Sequence, residues 1–367
     1  MPEADLRVDA KPPEREIAAP ALPYLPPRPR GPFPGIALIG CGDIAAYHLE
    51  AYRSAGFPVI TLCNRTPAKA NILRERFFPG ACISTNYRDT LAREDVGVVD
   101  LATHPEIRAE MIADALRAGK HVLSQKPFVT DLDLGLRLCA LADERGLKLA
   151  VNQNGRWAPH WSYIRYAIAA GLIGEVTAVR FAVHWDHTWT KGTAFDDIPN
   201  MVLYDFGIHW FDILTCFMGS RVPMRVVASA ARAAGQANKA PLLAQVLVDY
   251  DGAQASITFD AATPYGARDT TFIAGTHGSI HSEGPDLNHQ RVTLYKADGI
   301  ARPVLDGEWF RNGFVGTMAE LLFAIEEGRD TSNSATHNLR SLALCFAAMA
   351  SADSGQAVIP GSVRKIG

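Results

Sequence analysis

From Gly35 onward the chain alternates short apolar runs with stretches of helical periodicity. The run Ile36–Ile39 leads into a helical pattern over Ile44–Ser54, and Val59–Cys63 leads into another over Pro67–Phe77. Thr66 is the expected N-cap of that second helix and Pro67 its first residue. A short strand is expected at Ala81–Ser84, then one at Val96–Ala102, followed by a helix that opens at Pro105 and stops at Gly119. His121–Ser124, Leu132–Glu144 and Lys148–Val151 complete the series as strand, helix and strand. Near-continuous apolar strands separated by helices are the signature of a parallel, doubly wound sheet.

After Asn154 the pattern changes. A helix is expected around Trp161–Ala169, ending at Gly171. Strand-like runs then follow without helices between most of them: Val176–Trp185, Arg225–Ala231, Leu242–Tyr250, Gln254–Asp260, Thr270–Ala274 and Arg291–Tyr295. Turn residues such as Asp251-Gly252 separate some of these, so the expectation is a largely antiparallel sheet. Helices at Tyr204–Met218, Phe314–Glu327 and Leu339–Ala350 are expected to cover one face and leave the other open for oligomerisation. The fold class is therefore α/β: an N-terminal Rossmann domain and a C-terminal α+β domain with a large, mainly antiparallel sheet. The expected divisions are 1–34, 35–152 and 153–367.

The junction of the first strand and helix carries the first chemical signal, Gly40-Cys41-Gly42-Asp43-Ile44-Ala45. Gly40 permits the tight turn, Gly42 lets backbone approach a diphosphate, and Ala45 is small enough for close helix–strand packing. The helix N-terminus, at Asp43 and Ile44, offers free N–H groups and a partial positive charge. The second strand ends in Asn64-Arg65, where NAD-preferring enzymes commonly place an acid that holds the ribose diol. Asn64 removes the repulsion toward a 2′-phosphate and Arg65 supplies charge to it, so NAD or NADP is the expected coenzyme.

Composition adds exclusions. A net charge of −3 provides no general attraction to nucleic acid or acidic membranes. No apolar run approaches membrane-spanning length. The six cysteines are scattered with no C-x-x-C pair, which fits a reducing cytoplasm. Residues 1–34 carry ten prolines and read as an extended arm, expected to lie on a neighbouring subunit and to be dispensable for folding.

Three further stretches hold candidate chemistry. In Tyr204–Met218, helical spacing aligns Asp205, His209 and Asp212 as a polar stripe, with Asp205 one turn before His209 and placed to orient it. A capped, partly buried helix with a satisfied histidine is the competing reading. Gln125-Lys126-Pro127 directly follows a strand, at the sheet edge where ligands of open α/β sheets collect, so Lys126 is a candidate; a surface lysine is the alternative. His184-Trp185-Asp186-His187 invites a metal reading, but strand alternation puts His184 and Asp186 on one face and His187 on the other. No metal is expected, and His184 is expected to line a pocket. Trp157, Trp161, Trp185 and Trp189 are candidates for pocket wall or for core.

Taken together these stretches resemble the glucose–fructose oxidoreductase/inositol dehydrogenase/MocA family over about residues 35–360. The resemblance rests on GCGDIA, VVDLATHPEIRAEMIADALRAGKHVLSQKPF, NQNGRWAP, GLIGEV, the D-x-G-x-H-x-x-D that opens at Asp205, and GTHGSI. It implies NAD(P)-dependent hydride transfer at a hydroxyl-bearing carbon, usually of a sugar or cyclitol, in a homodimer or homotetramer built through the C-terminal sheet. It implies Lys126, Asp205 and His209 as the catalytic group. Gly40, Gly42, Asp43, Ile44, Asn64, Arg65, Thr103, His104, Gln125, Lys126 and Asn154 are the implied cofactor contacts. Arg156, Trp157 and His184 join the catalytic three as the implied substrate contacts.

The family's usual Glu-Lys-Pro is here Gln125-Lys126-Pro127, and Arg108 stands where the family places a histidine. Gly155 replaces an arginine, which is expected to open the substrate side. A relative that uses bound NAD for glycoside cleavage, or a cofactor-sensing regulator without turnover, is the alternative function.

Overall fold

The structure, a computed structural model, describes residues 15–366. Its first layer is a six-stranded parallel sheet of β1 (Gly35–Ile39), β2 (Val59–Cys63), β3 (Cys82–Ser84), β4 (Val96–Leu101), β5 (His121–Ser124) and β6 (Leu149–Val151), in the order β3-β2-β1-β4-β5-β6. Helices α1 (Asp43–Ala55), α2 (Pro67–Phe77), α3 (Tyr87–Leu91), α4 (Pro105–Arg117) and α5 (Leu132–Glu144) connect the strands. Strands β1, β4 and β5 are almost wholly buried, which is why they read as unbroken apolar runs rather than alternating ones.

The second layer is an eight-stranded sheet. Its strands are β7 (Val176–His184), β8 (Pro223–Ala231), β9 (Leu243–Tyr250), β10 (Ala253–Asp260), β11 (Arg268–Gly275), β12 (Gly278–Gly284), β13 (Arg291–Lys296) and β14 (Gly299–Ala301). The order is β14-β13-β12-β11-β7-β10-β9-β8, antiparallel throughout except where β7 lies parallel to β10. Helices α6 (Pro159–Ala169) and α7 (Ile208–Met218) cover its inner face. β12 and β14 escaped the sequence reading because their glycine and polar content hides the alternation.

The last two helices, α8 (Trp309–Glu327) and α9 (Ala335–Ser354), do more than cover the second sheet. Phe314, Met318, Leu321 and Leu322 of α8 share a core with α1 and β1, and Gly135 of α5 packs under Leu339 of α9. The two layers are thus tied together through α1, α5 and the segment that follows β6.

The described part of the arm corrects one expectation. Residues 15–34 lie on their own chain: Ile17 N–H donates to Ile300 O, Ser162 Oγ to Tyr24 O, and Tyr163 OH to Pro20 O. Ile17, Leu22 and Tyr24 pack against the main core, so these three find partners in cis. Residues 1–14 lie outside the described residues.

Candidate active site

The glycine turn is built for a close-lying ligand. Gly40 has φ +101°, and a side chain there would meet Ala102 O at 2.7 Å, so only glycine fits. Gly42, which caps α1, has an ordinary φ of −82° and nothing within 4 Å of where its Cβ would stand. Nothing in the protein itself excludes a side chain at 42; its absence leaves open space at a helix N-terminus whose first N–H groups are free for an anion. Asp43 is exposed and Ile44 half-buried beside this opening. Across the turn Thr103 packs by Gly40, and His104, exposed, caps α4.

Asn64 is spent otherwise than its sequence position suggests. Its Oδ1 accepts the Cys41 N–H at 3.1 Å and its Nδ2 donates to Thr66 O at 2.9 Å, so it braces the glycine loop. Arg65 is exposed and forms no ion pair among the described residues, leaving its guanidinium available at the end of β2. At the end of β6, the amides of Gln153 and the Oδ1 of Asn154 are buried without partners. Orphaned amides at the carboxyl end of the same sheet as the open glycine turn fit a nicotinamide dinucleotide, whose carboxamide needs such groups.

Lys126 stands at the end of β5 on a backbone held from both sides. Arg108, fully buried, gives NH1 to the carbonyls of Gln125 and Pro127, and Nε and NH2 to Thr103 O. Burial brings its guanidinium down to about 10, and with only carbonyl acceptors it works as a clamp between the turns after β4 and β5. Nothing about an isolated arginine in a helix pattern announces this role; the signal was its standing where the family places a histidine.

The residues before α7 are not continuous α-helix. Val202–Phe206 forms a π turn, entered through Asn200 at φ +50°, before α7 starts at Ile208. Such a turn holds one extra residue and shifts the side chains within it. Asp205 therefore does not orient His209. Its carboxylate meets Lys126 Nζ at 3.1 Å and its backbone oxygen accepts from the same ammonium at 2.9 Å. His209 is buried beside this pair with Nδ1 unpartnered, and its imidazole lies edge-to-face with Trp309, ring centres 5.3 Å apart. Burial, and then the Lys126 ammonium, push the His209 pKa down to about 3. Trp309 went unnoticed in the sequence because the first turn of α8 lacks the apolar period that marked the rest.

Three other expected contacts are corrected. Arg156 is 2 % exposed and forks onto Asp212 at 2.6 Å, with His337 Nδ1 at 2.8 Å and Ser332 O as further partners. Four of its five guanidinium N–H groups are taken up inside the protein, so it ties the segment after β6 to α7 and α9. Trp157 is core: its ring lies where a Gly316 side chain would stand, and Arg165 lies over its other face. His184 is on the outer face of the second sheet, paired with Asp260 at 2.7 Å, because alternation sends Phe181 and Val183 inward. Trp185 and His187 turn inward instead, stacked against each other beside Trp210 and Phe206. The space at Gly155 is filled by Trp161, 3.0 Å from its Cβ position, and by the Trp309 indole at 3.8 Å.

Comparison with known proteins bears on this geometry. Residues 35–153 match the model of an oxidoreductase family with an NAD-binding Rossmann fold, and residues 161–281 match the GFO/IDH/MocA C-terminal domain. Inositol 2-dehydrogenase of Rhizobium meliloti is 27% identical over 330 residues, covering 86% of this chain and 95% of its own. D-apiose dehydrogenase of Rhizobium rhizogenes is 24% identical, covering 89% of this chain and 97% of its own. An oxidoreductase from Agrobacterium radiobacter, solved with NAD+, L-tartaric acid and magnesium, superposes with a TM-score of 0.81 at 23% identity, covering 89% and 98%. At that identity the superposition shows the fold. With both domain models matched in order over residues 35–153 and 161–281, the chain belongs to the Gfo/Idh/MocA family of NAD-binding oxidoreductases.

Proposed function

We propose that the protein moves hydride between a nicotinamide and a hydroxyl-bearing carbon of a sugar or cyclitol, with Lys126, Asp205 and His209 as its catalytic group. The observation that carries this reading is their juxtaposition: Lys126 ends a strand of the first sheet, and Asp205 meets its ammonium from the second domain at 3.1 Å. An inositol 2-dehydrogenase and a D-apiose dehydrogenase among the relatives support the substrate class. Gly40, Gly42 and the α1 N-terminus would hold the diphosphate, Arg65 the adenosine ribose, and Gln153 and Asn154 the nicotinamide end. When bound, the coenzyme supplies the hydride acceptor or donor.

The chain's own residues handle the proton and the oxygen. Asp205 takes two of the three ammonium N–H groups of Lys126, leaving one for the reacting oxygen. That donor stabilises negative charge as it develops on the oxygen. His209, neutral above about pH 3, accepts the hydroxyl proton. Asp205 therefore serves the lysine and offsets its charge beside the imidazole. We read the chain as two working units, 35–152 and 153–367, assembled as a homodimer or homotetramer through the open face of the second sheet. The six unpaired cysteines support a cytoplasmic setting.

The test is steady-state turnover with both coenzymes across sugars, sugar acids and cyclitols, followed by variants with the best substrate. His209→Ala should lower kcat about 100- to 10,000-fold, the usual worth of a general base. Lys126→Met should cost about 100- to 1,000-fold, as for one preorganised donor to a developing charge. Coenzyme Kd should change little in His209→Ala. Turnover above half of wild type in both variants would place the chemistry elsewhere. Tight coenzyme binding with no turnover on any polyol would make the protein a sensor.

A further inference from the structure

Behind Lys126 lies a second polar group, sealed inside the first layer and used by no step above. His48 of α1 and Asp100 of β4 are fully buried and meet Nδ1 to Oδ2 at 2.7 Å. Tyr52 donates its hydroxyl to the same oxygen at 2.6 Å. On the far side of the ring, Gln125 Nε2 and Asn152 Nδ2 face His48 Nε2 at 3.3 and 3.1 Å. The Gln125 amide cannot be turned round, because its Oε1 accepts the backbone N–H of Lys126 at 2.7 Å. With the Gln125 amide fixed as a donor, Nε2 is an acceptor, so the ring proton sits on Nδ1 and is donated to Asp100. The imidazole is thus neutral, and Asp100 holds the negative charge of the group with its Oδ1 unpartnered. A chain of contacts then runs Asp100–His48–Gln125–Lys126 N–H.

We infer that Asp100 and His48 are positioning residues for Lys126, and that the acid at 100 and the amide at 125 are an exchangeable pair. The ring needs one carboxylate to orient it, and either side can supply it. With the acid at 100, the ring is protonated on Nδ1 and receives an amide at Nε2. With the acid at 125 and an amide at 100, the proton moves to Nε2, Asn152 turns its unpartnered Oδ1 toward the ring, and the same chain of contacts closes in the opposite sense. Acids on both sides require a proton on both nitrogens. Amides on both sides remove the charge-assisted bond that holds the ring, and with it the fixed position of Gln125.

The experiment compares Asp100→Asn, Gln125→Glu and the double variant by turnover and by 15N NMR of the His48 ring. Asp100→Asn should lower kcat about 10- to 100-fold, the scale of a small misplacement of a reacting group, with substrate KM little changed. The double variant should return to within about threefold of wild type, in keeping with strong coupling between groups in one network. The ring should be protonated on Nδ1 in wild type, on both nitrogens in Gln125→Glu, and on Nε2 in the double variant. A double variant as slow as Asp100→Asn, or a neutral ring in Gln125→Glu, would overturn the inference. If Asp100→Asn does not fold, the double variant should; failure of both to fold also overturns it. The link to turnover rests on the proposed role of Lys126, whereas the ring spectra do not. Unimpaired Lys126→Met would therefore sink that role while leaving the exchange to be judged by the spectra.

Discussion

In the proposed reaction His209 would accept a proton in a place where burial and the Lys126 ammonium both disfavour its charged form. An exposed histidine titrates near 6.5, whereas this one is lowered to about 3. An NMR titration of the unliganded protein should therefore find the ring neutral well below pH 6.5. The midpoint should rise in Lys126→Met, because removing a positive neighbour favours the imidazolium. The sign for stability follows from the same shift. Between about pH 3 and 6.5 the unfolded chain binds a proton at His209 that the folded chain does not, so stability rises with pH across that window. The contribution is complete above about 6.5 and is lost progressively as the pH falls below it. His209→Asn should accordingly lose less stability than wild type between pH 7 and pH 5, measured by urea unfolding at each pH. An equal loss in both proteins would contradict the buried, neutral ring.

At the scale of elements, the π turn before α7 separates what helical spacing foretold from what the chain does. A regular helix through Asp205 and His209 would set them one turn apart on one face; the extra residue sends Asp205 to Lys126 instead. Gly207 sits at the join, where an added Cβ would meet Leu203 O at 2.5 Å and Val202 O at 2.8 Å. Both obstacles are backbone, so they can give way only if the turn changes. Gly207→Ala should lower kcat about 10- to 100-fold through a displaced Asp205, on the scale expected for an ångström-level misplacement. Coenzyme Kd should stay near wild type, since the glycine turn of β1 and α1 is untouched. Normal turnover in this variant would show that the turn is not what places the carboxylate.

At the scale of the whole molecule, the outer face of the second sheet is an uncovered surface. Val227 and Leu247 are paired across β8 and β9, 40% and 48% exposed, and the row continues through Ser256, Arg180 and Phe272. Two exposed apolar residues side by side on an open sheet face fit burial against another copy of the chain. Leu247→Arg should then shift the mass in light scattering toward the monomer while leaving the circular dichroism unchanged. An unaltered mass would remove this face as the assembly surface. The arm, by contrast, is seated on its own chain through Ile17, Ser162 and Tyr163, and its prolines leave few N–H groups to satisfy there.

What the sequence determined by itself is what depends on near neighbours in the chain. The strand–glycine–helix unit at Ile36–Ser54, the Pro105 start of α4 and the alternation that separates His184 from His187 are local consequences of periodicity and backbone freedom, and all were readable. The place of Lys126 just beyond β5 was readable too, because the end of a parallel strand is a place defined by the strand itself. Only the tertiary structure decided which partner each polar group takes. Asp205 was free, by spacing, to serve His209, and Arg156 was free to reach a substrate. The π turn gave the first to Lys126, and the packing of α7 and α9 gave the second to Asp212. Asp100 lies on β4 and Gln125 directly follows the neighbouring β5, yet their link runs through His48 of α1. A buried polar group must be satisfied by whatever the fold brings within about 3 Å, and that set is assembled by packing between distant segments, which no local pattern records.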